Sequence, residues 1–298
     1  MDRSRLKNYL GFVFRFTLSV AALYYVFTKI HVADVINTYR HVNIPWLALA
    51  ILLFTLSKII SAFRLNLFLR SVPLMLSHRF NLKLYLLGMF YNVFLPGGVG
   101  GDGYKIVFLS REFNVKKRRI FWPVLLDRVS GVISLLVWAV IFSYFIRLHI
   151  TFPYKYVIWF IIPAGVFIYY AIIRKFFPAF IAIFPSAILY SLAVQITQVF
   201  CACILLVSLG TTDMAVNYLF LFLISSLVAM LPISIGGMGL REITFLSGAS
   251  LLHLDAEASV ALSLLFYLIS VFVSLFGISY SLNPAKMKDR HTIFPRHA

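Results

Sequence analysis

The stretch Leu95-Pro-Gly-Gly-Val-Gly-Gly-Asp-Gly-Tyr-Lys105 aligns without gaps to Leu231-Pro-Ile-Ser-Ile-Gly-Gly-Met-Gly-Leu-Arg241. A leucine, a proline and three glycines coincide in the two copies, and each copy ends on a cation. Agreement in residues as structurally specific as proline and glycine indicates an internal repeat. Because proline and glycine interrupt helices, each copy predicts a break between two short helices.

The composition around these two blocks is that of a membrane protein. Hydrophobic residues make up 61% of the 298 positions and charged residues only 12%, whereas soluble domains carry about 25% charged residues. Apolar runs near the ~20 residues that a spanning helix needs recur along the whole chain. The period-two alternation of barrel strands is absent from the sequence. The sequence therefore predicts an all-α polytopic membrane protein.

Six apolar segments are long enough to cross a bilayer. We interpret the first as a retained span, because no small-residue cleavage site follows it. The predicted spans are Leu10–Thr28, Ile44–Phe63, Ile120–Ile146, Tyr156–Ile173, Phe184–Leu209 and Ala258–Ser281.

Two shorter apolar stretches, Leu84–Leu95 and Val216–Leu231, run into the glycine blocks. Each is followed by a second short segment, Gly103–Glu112 in the first case and Leu240–His253 in the second. Broken helices at membrane depth are tolerated where they are buried in protein or line a cavity. We therefore predict two re-entrant hairpins, each made of two half-helices.

Three predicted spans separate the two hairpins, so the hairpins enter the membrane from opposite sides. This is the inverted-topology repeat of many transporters, in which paired interrupted helices mark the transport site. The predicted organisation is one membrane domain over 1–298, with repeat 1 at about 44–146 and repeat 2 at about 184–282. Residues 283–298 form a predicted basic cytoplasmic tail.

The distribution of cations supports this topology. With the N-terminus inside, nineteen cations lie on the cytoplasmic side, namely Arg3, Arg5, Lys7, Arg64, Arg70, Arg79, Lys83, Lys105, Arg111, Lys116, Lys117, Arg118, Arg119, Arg174, Lys175, Lys286, Lys288, Arg290 and Arg296. Only four lie outside, namely Lys29, Arg40, Arg147 and Lys155. Because cytoplasmic loops carry the excess of lysine and arginine, both termini are predicted to be cytoplasmic.

The glycine blocks predict an anion site. The returning half-helix of each hairpin begins with unpaired N–H groups and the positive end of its dipole, and glycines let a phosphate approach that backbone closely. Lys105 and Arg241 would add a full charge at equivalent places in the first turns. The predicted ligand is an anionic head group, most simply a lipid phosphate. Alternatively, the glycines only allow close helix packing.

Carboxylates inside membrane segments are expensive and are therefore functional candidates, here Asp102, Asp127 and Glu242. Each has a structural alternative, such as Asp102 serving as a helix cap. Arg15 and Lys58 also lie in spans but receive no predicted role, because both side chains can snorkel. The predicted head-group site comprises Gly98, Gly100, Gly101, Asp102, Gly103, Lys105, Asp127, Arg128, Gly236, Gly237, Gly239, Arg241 and Glu242.

Other site chemistries are disfavoured by the same sequence. A net charge of +17 would suit a nucleic-acid partner, but the cations fall between spans and not on one soluble face. Cys201 and Cys203 lie in an apolar run without a nearby histidine and are interpreted as packing residues. We predict no catalytic residue, no metal, no cofactor and no nucleic-acid partner.

The two blocks, together with Asp127-Arg128 and the Gly-Gly-Met-Gly-Leu-Arg-Glu242 ending, resemble the lysylphosphatidylglycerol synthase transmembrane family over nearly the whole chain. The resemblance implies a multi-pass domain that moves aminoacylated phosphatidylglycerol or another lipid between leaflets. It does not imply lysyl transfer, which a separate soluble domain performs in the fused family members. The family's usual arginine is Lys105 here, which keeps the charge but loses bidentate phosphate geometry.

The predicted function is therefore a non-enzymatic lipid translocase of the cell inner membrane. Its ligand would be an anionic or aminoacylated phospholipid, or a polyprenyl-linked lipid, bound in a polar cavity between the repeats. One alternative is an integral-membrane lipid transferase, although the loops are short and basic and hold no Asp-x-Asp pair. Another is a non-catalytic partner of a synthase or glycosyltransferase, which stays open beside the translocase on sequence alone.

Overall fold

The computed structural model describes residues 42–72, 74–94, 100–146, 154–231, 234, 237–282 and 287, with isolated residues before position 42. Secondary structure within these residues is helical, without a strand, which confirms the predicted all-α class. Most of the predicted first span, Gly98, Gly236 and nearly all of the tail 283–298 lie outside the described residues.

The helices of the described part are numbered in chain order. They are α1 (Ile44–Arg70), α2 (His78–Phe94), α3 (Gly100–Glu112), α4 (Lys117–Phe145), α5 (Tyr154–Phe176), α6 (Phe184–Ser208), α7 (Ala215–Ala229), α8 (Leu240–Leu252), α9 (Ala256–Leu275) and α10 (Ile278–Leu282). A single 3₁₀ turn, Pro178–Phe180, joins α5 to α6.

Four helical segments of the described chain are long and apolar enough to cross a membrane. They are α1, α4, α6 and the segment Ala256–Leu282, which contains α9 and α10. Their ends lie within three residues of the predicted ones, except at the C-terminus of α1. The predicted span Tyr156–Ile173 corresponds to the 23-residue helix α5, whose passage through the membrane stays a prediction.

Helix α1 extends beyond the predicted end of its span. The sequence places the end of the span at Phe63 and assigns Arg64 to the cytoplasmic surface, but the helix continues to Arg70 and buries Arg64. Burial is possible because a carboxylate from α4 neutralises the guanidinium. Lys105 is buried as well. Neither residue therefore counts among the cations of a cytoplasmic loop.

Helices α2 and α3 pack against each other as an antiparallel hairpin. Phe80, near the start of α2, stacks on Phe108 near the end of α3, with ring centroids 6.3 Å apart. At the opposite end, Gly101 lies directly against the backbone of Gly88. Both helices are short, with 17 and 13 residues, or roughly 20–26 Å in length. Each is therefore shorter than the ~30 Å hydrocarbon core.

Helices α7 and α8 form a second antiparallel hairpin. Close to the turn, Gly237 lies against Ala229, and farther along the hairpin Gly248 lies against the side chain of Leu221. The two helices have 15 and 13 residues, again too few to cross a bilayer core alone. The described part of each glycine block thus lies at or just before the start of the second helix of a hairpin, and the re-entrant course of the hairpins stays a prediction.

The two hairpins differ where their second helix begins. Helix α3 starts at Gly100, whereas α8 starts only at Leu240, four positions beyond the aligned Gly236. The delay has a local cause, because Gly237 and Gly239 adopt positive φ angles of 84° and 83° that a helix does not contain. The sequence predicts that Lys105 and Arg241 lie at equivalent places in the first turns of their helices, and this is wrong for Lys105. Arg241 lies in the first turn of α8, but Lys105 lies in the second turn of α3.

The main apolar core joins α1, α6, α7 and α9. Helix α6 packs along α1, and the Cys201 thiol donates to the carbonyl of Ala50 at 3.3 Å. This residue therefore packs between helices, as its apolar surroundings predict. Phe54, Phe222 and Phe266 fill the middle of the same core.

Candidate functional site

A cavity of about 380 Å³ lies between the two hairpins and the long helices. It is lined by residues of α1, α2, α3, α4, α6, α7, α8 and α9, and so receives side chains from both hairpins. Its charged lining residues are Lys58, Arg64, Asp102, Lys105, Asp127, Arg128 and Arg241. Among the described lining residues, five cations against two carboxylates give a formal excess of three positive charges.

One ion pair in the wall joins Arg64 of α1 to Asp127 of α4. Arg64 Nε donates to Asp127 Oδ1 at 2.7 Å and Nη2 donates to Oδ2 at 3.3 Å. The remaining terminal nitrogen of Arg64 donates to Ser191 Oγ of α6 at 3.0 Å. Gly131 makes room for the pair, since a Cβ there would lie 3.4 Å from the guanidinium. The pair therefore ties three long helices together at the cavity wall.

Asp102 is the centre of a second charged cluster. Its Oδ1 accepts from Lys105 Nζ at 3.0 Å, one helical turn away, and its Oδ2 accepts a short hydrogen bond from Arg128 Nε. Lys105 also stands over the ring of Tyr85, 4.5 Å from the centroid, and its stem runs across Gly88. The sequence offered Asp102 as a helix cap, but its carboxylate bridges α3 to α4.

Lys58 of α1 and Arg241 of α8 complete the charged lining. Within the described residues, neither forms a salt bridge with a carboxylate. Arg241 Nη2 donates to Ser226 Oγ at 3.3 Å. The ammonium of Lys58 lies 4.5 Å from the ring centroid of Phe54. Neither of the two carboxylates in the described wall neutralises these side chains, although the Glu242 carboxylate outside the cavity attracts Arg241.

Amide side chains supply the neutral polar part of the wall. Gln198 Nε2 donates to Ser57 Oγ at 3.4 Å, and Asn92 Oδ1 accepts from the Gly101 N–H at 2.8 Å. Gln195 is 4% exposed, and its Oε1 has no hydrogen-bond partner within the described chain. The cavity thus offers both donors and an acceptor to a polar ligand.

The predicted glycines have local structural roles where they are described. Gly100 begins α3, and a Cβ at Gly101 would lie 1.9 Å from the carbonyl oxygen of Gly88. Gly103 is exposed, with open space around it. Gly237 and Gly239 form the positive-φ turn before α8. The close packing that the sequence offered as an alternative is thus present at Gly101.

Glu242 lies apart from the cavity. Its carboxylate accepts from the Gly239 N–H at 2.7 Å and from Ser263 Oγ at 2.8 Å, and the residue is 1% exposed. Glu242 thus supplies one half of a capping box, the bond from the N3 glutamate to the N-cap N–H, and this bond fixes the start of α8. The N–H groups of Gly101 and Gly239 are thus both bonded within the protein and are not available to an anion.

Of the predicted site residues, five line the cavity, namely Asp102, Lys105, Asp127, Arg128 and Arg241. Sequence reasoning missed two further cations of the wall, Lys58 and Arg64. The available signal was their position, because Lys58 lies inside an apolar span and Arg64 directly follows one. A charge in such a place is a functional candidate by default.

These helices and this charged cavity define the chain as an α-helical membrane protein. The sequence model of the "Lysylphosphatidylglycerol synthase TM region" matches residues 12–188 and 179–277. The match covers most of the chain, and the protein belongs to this family.

One curated relative is a UPF0104 membrane protein of Pyrococcus horikoshii, which is 27% identical over 147 residues. The aligned region covers 48% of this chain and 43% of the relative, so the chain spans less than half of that protein. No solved structure matches the chain. The family and the relative both agree with a location in a membrane.

Proposed function

We propose that the protein binds the anionic head group of a membrane lipid in the central cavity and moves that lipid between leaflets. The observation that carries this proposal is the charge of the cavity wall, where five cations face two carboxylates. An uncompensated charge away from water is costly unless a counter-ion accompanies it. A lipid phosphate supplies such a counter-ion while its acyl chains stay in the bilayer.

The shape of the site supports transport over simple anchoring. The cavity receives side chains from both helical hairpins and from the long helices around them. In transporters built from inverted repeats, such interrupted helices surround the substrate near the bilayer midplane, and motion of one repeat against the other exposes the site alternately. We propose that α2–α3 and α7–α8 are the paired interrupted elements of such a transporter.

The membrane topology that belongs to this proposal has six full spans and two re-entrant hairpins. Both termini lie in the cytoplasm, and the protein resides in the cell inner membrane. The cation distribution supports this orientation. No catalytic step is part of the proposal, because moving a lipid requires binding and a conformational change but no covalent chemistry.

A translocation assay in liposomes tests the proposal. Purified protein is reconstituted with trace phosphatidylglycerol that carries a fluorescent acyl chain, and an impermeant reductant then quenches the outer leaflet. The assay is run with and without a transmembrane proton gradient. Labelled phosphatidylcholine and phosphatidylethanolamine report head-group selectivity, and protein-free liposomes give the background.

We expect the protein to increase the quenchable fraction of phosphatidylglycerol above the protein-free value, and to move it faster than phosphatidylcholine. The selectivity follows from the excess positive charge, because the choline cation would be repelled by the same wall. Background rates for every lipid under both conditions would contradict the proposal and favour a non-transporting partner of a lipid-modifying enzyme.

A further inference from the structure

Lys58 and Arg241 differ from the other cations of the cavity in how their charge is balanced. The other three are held by Asp102 or Asp127, within salt bridges of 3.0 Å or less. Both carboxylates of the wall are thereby engaged. In the described part of the chain, Lys58 and Arg241 are left without a carboxylate partner, although both line the same cavity.

An aromatic cluster holds these two cations in place. The ammonium of Lys58 lies 4.5 Å from the centroid of the Phe54 ring, and the guanidinium of Arg241 lies 4.9 Å from that of Phe266. The two rings touch each other edge to face, with centroids 5.3 Å apart. A ring face attracts a cation without supplying a conventional hydrogen-bond acceptor. The cluster therefore positions both charges and leaves N–H donors available to a ligand.

The two charges lie over neighbouring rings whose centroids are 5.3 Å apart, and like charges in one cavity repel each other. The Lys58 ammonium offers three N–H donors and the Arg241 guanidinium offers five. One of the Arg241 donors, on Nη2, bonds to Ser226 Oγ. The Glu242 carboxylate, next to Arg241 in sequence, attracts the guanidinium, but it lies outside the cavity and its hydrogen bonds go to Gly239 and Ser263. An anion between Lys58 and Arg241 would remove their repulsion and accept their hydrogen bonds at once.

We propose that Lys58 and Arg241 form a two-cation subsite that binds one phosphate group of the ligand. This inference rests on the proposed function, and it assigns the phosphate to a pair of residues from different helices, α1 and α8. Arg241 supplies the planar donor pair suited to two phosphate oxygens, and Lys58 supplies a compact point charge. The ligand class is a phosphate ester, either the head group of a phospholipid or a free phosphate.

The subsite breaks the symmetry of the repeat, and the sequence explains why. The residue aligned with Arg241 is Lys105, which Asp102 neutralises from one turn away. The residue aligned with Asp102 is Met238, which has no charge. The first copy thus builds an internal ion pair at this place, whereas the second leaves its cation for a ligand.

Binding measurements on the purified full-length chain in an uncharged detergent test this assignment. Dihexanoylphosphatidylglycerol, dihexanoylphosphatidylcholine and inorganic phosphate are titrated separately by microscale thermophoresis. The variants are Lys58→Gln, Arg241→Gln, their combination, and Lys105→Gln. Arg111→Gln on the exposed surface of α3 is the matched control, since it removes the same charge outside the cavity. Lys58→Arg and Arg241→Lys test retention of charge, and thermal unfolding reports the folding of every variant.

We expect Lys58→Gln and Arg241→Gln each to raise the Kd for dihexanoylphosphatidylglycerol at least about 10-fold, the loss of one charge-assisted hydrogen bond. In the double variant the Kd should rise by less than the product of the two single fold-changes, because both side chains bind the same phosphate. Lys58→Arg should keep most of the affinity. Lys105→Gln should change the Kd by less than about threefold, since Lys105 is already paired.

Several outcomes separate this inference from the function on which it rests. The subsite would be overturned if Lys58→Gln bound the lipid as well as wild type while Lys105→Gln did not bind it. That result would favour the symmetric pair Lys105–Arg241. Should Lys58→Gln not fold, unchanged binding by Lys58→Met would overturn the subsite equally. Binding of inorganic phosphate without any preference for the lipid would assign the subsite to free phosphate. A wild-type chain that binds none of the three probes would contradict the proposed function itself.

Discussion

Arg64 and Asp127 face each other across the interface of α1 and α4, with Nε 2.7 Å from Oδ1 and Nη2 3.3 Å from Oδ2. Both residues are largely buried, and Ser191 adds a third helix to the contact. Removing one partner from a buried pair strands the other charge, which typically costs more than the pair contributes. The pair is thus a structural element of the cavity wall as well as part of its charge.

Asp127→Asn should lower the free energy of unfolding by about 3–5 kcal/mol, because it leaves the Arg64 guanidinium without a negative partner. Thermal unfolding in detergent measures the effect. The double variant Arg64→Gln/Asp127→Asn should be less destabilised than the sum of the two single variants. The exposed Arg111→Gln serves as the control. A Tm for Asp127→Asn equal to that of wild type would show that Asp127 is not needed for folding.

A pair of glycines on α3 tests the close packing of the first hairpin. Gly101→Ala places a Cβ against the Gly88 carbonyl and should destabilise the protein by about 1–3 kcal/mol, as overpacking does. Gly103→Ala is the matched control, because a Cβ there has open space around it. It should be neutral or stabilising by about 0.5–1 kcal/mol, since alanine favours a helix over glycine. Equal Tm values for the two variants would contradict the hairpin geometry.

The bond from Glu242 to the N-cap of α8 gives a third prediction. Glu242→Ala leaves the Gly239 N–H and the Ser263 hydroxyl without their acceptor, and each such loss costs about 1–3 kcal/mol. Ser263→Ala removes one donor only and should cost less. Hydrogen exchange at the first turn of α8, measured by mass spectrometry, should rise in Glu242→Ala. Unchanged hydrogen exchange there would show that the bond between Glu242 and the Gly239 N–H does not stabilise the start of α8.

Much of the fold is readable from the sequence, because apolar length and glycine blocks act locally. The predicted ends of α4, α6 and the segment Ala256–Leu282 differ from the structure by three residues or fewer. The end of α1 was missed because Arg64 reads as a boundary until its partner, 63 positions away, is known. Arginine and leucine favour a helix locally, so it is the burial of Arg64, and not the helix itself, that depends on a tertiary contact.

The charged residues of the cavity could be predicted from the sequence only where their contacts are local. Asp102 and Lys105 lie three positions apart, so their contact is local, whereas Arg128 reaches the same carboxylate from another helix. Lys58 received no role because a single span does not reveal which of its faces meets the cavity. The gapless alignment pairs Lys105 with Arg241, but the two residues lie in different turns of their helices. The reason is that two positive-φ glycines delay the start of α8.

Topology gives a fourth prediction, tested by labelling single cysteines with an impermeant maleimide in intact cells. The background is Cys201→Ala/Cys203→Ala, which removes both thiols of the described chain. Arg40→Cys should react from outside, whereas Lys117→Cys should react only after the cells are opened; both positions are exposed in the folded protein. Labelling of Lys117→Cys in intact cells would overturn the proposed orientation.

The central claim is that the cations of the cavity carry a lipid phosphate across the membrane, and one rate tests it most directly. The movement of fluorescent phosphatidylglycerol is measured in liposomes that contain equal amounts of wild-type protein, Lys58→Gln/Arg241→Gln or the control Arg111→Gln. We expect wild type and control to move the lipid well above the protein-free rate. The double variant should fall at least about 10-fold toward that background, since it loses the donors that stabilise the phosphate. A double variant that transports as fast as wild type, at equal folding, would contradict the claim.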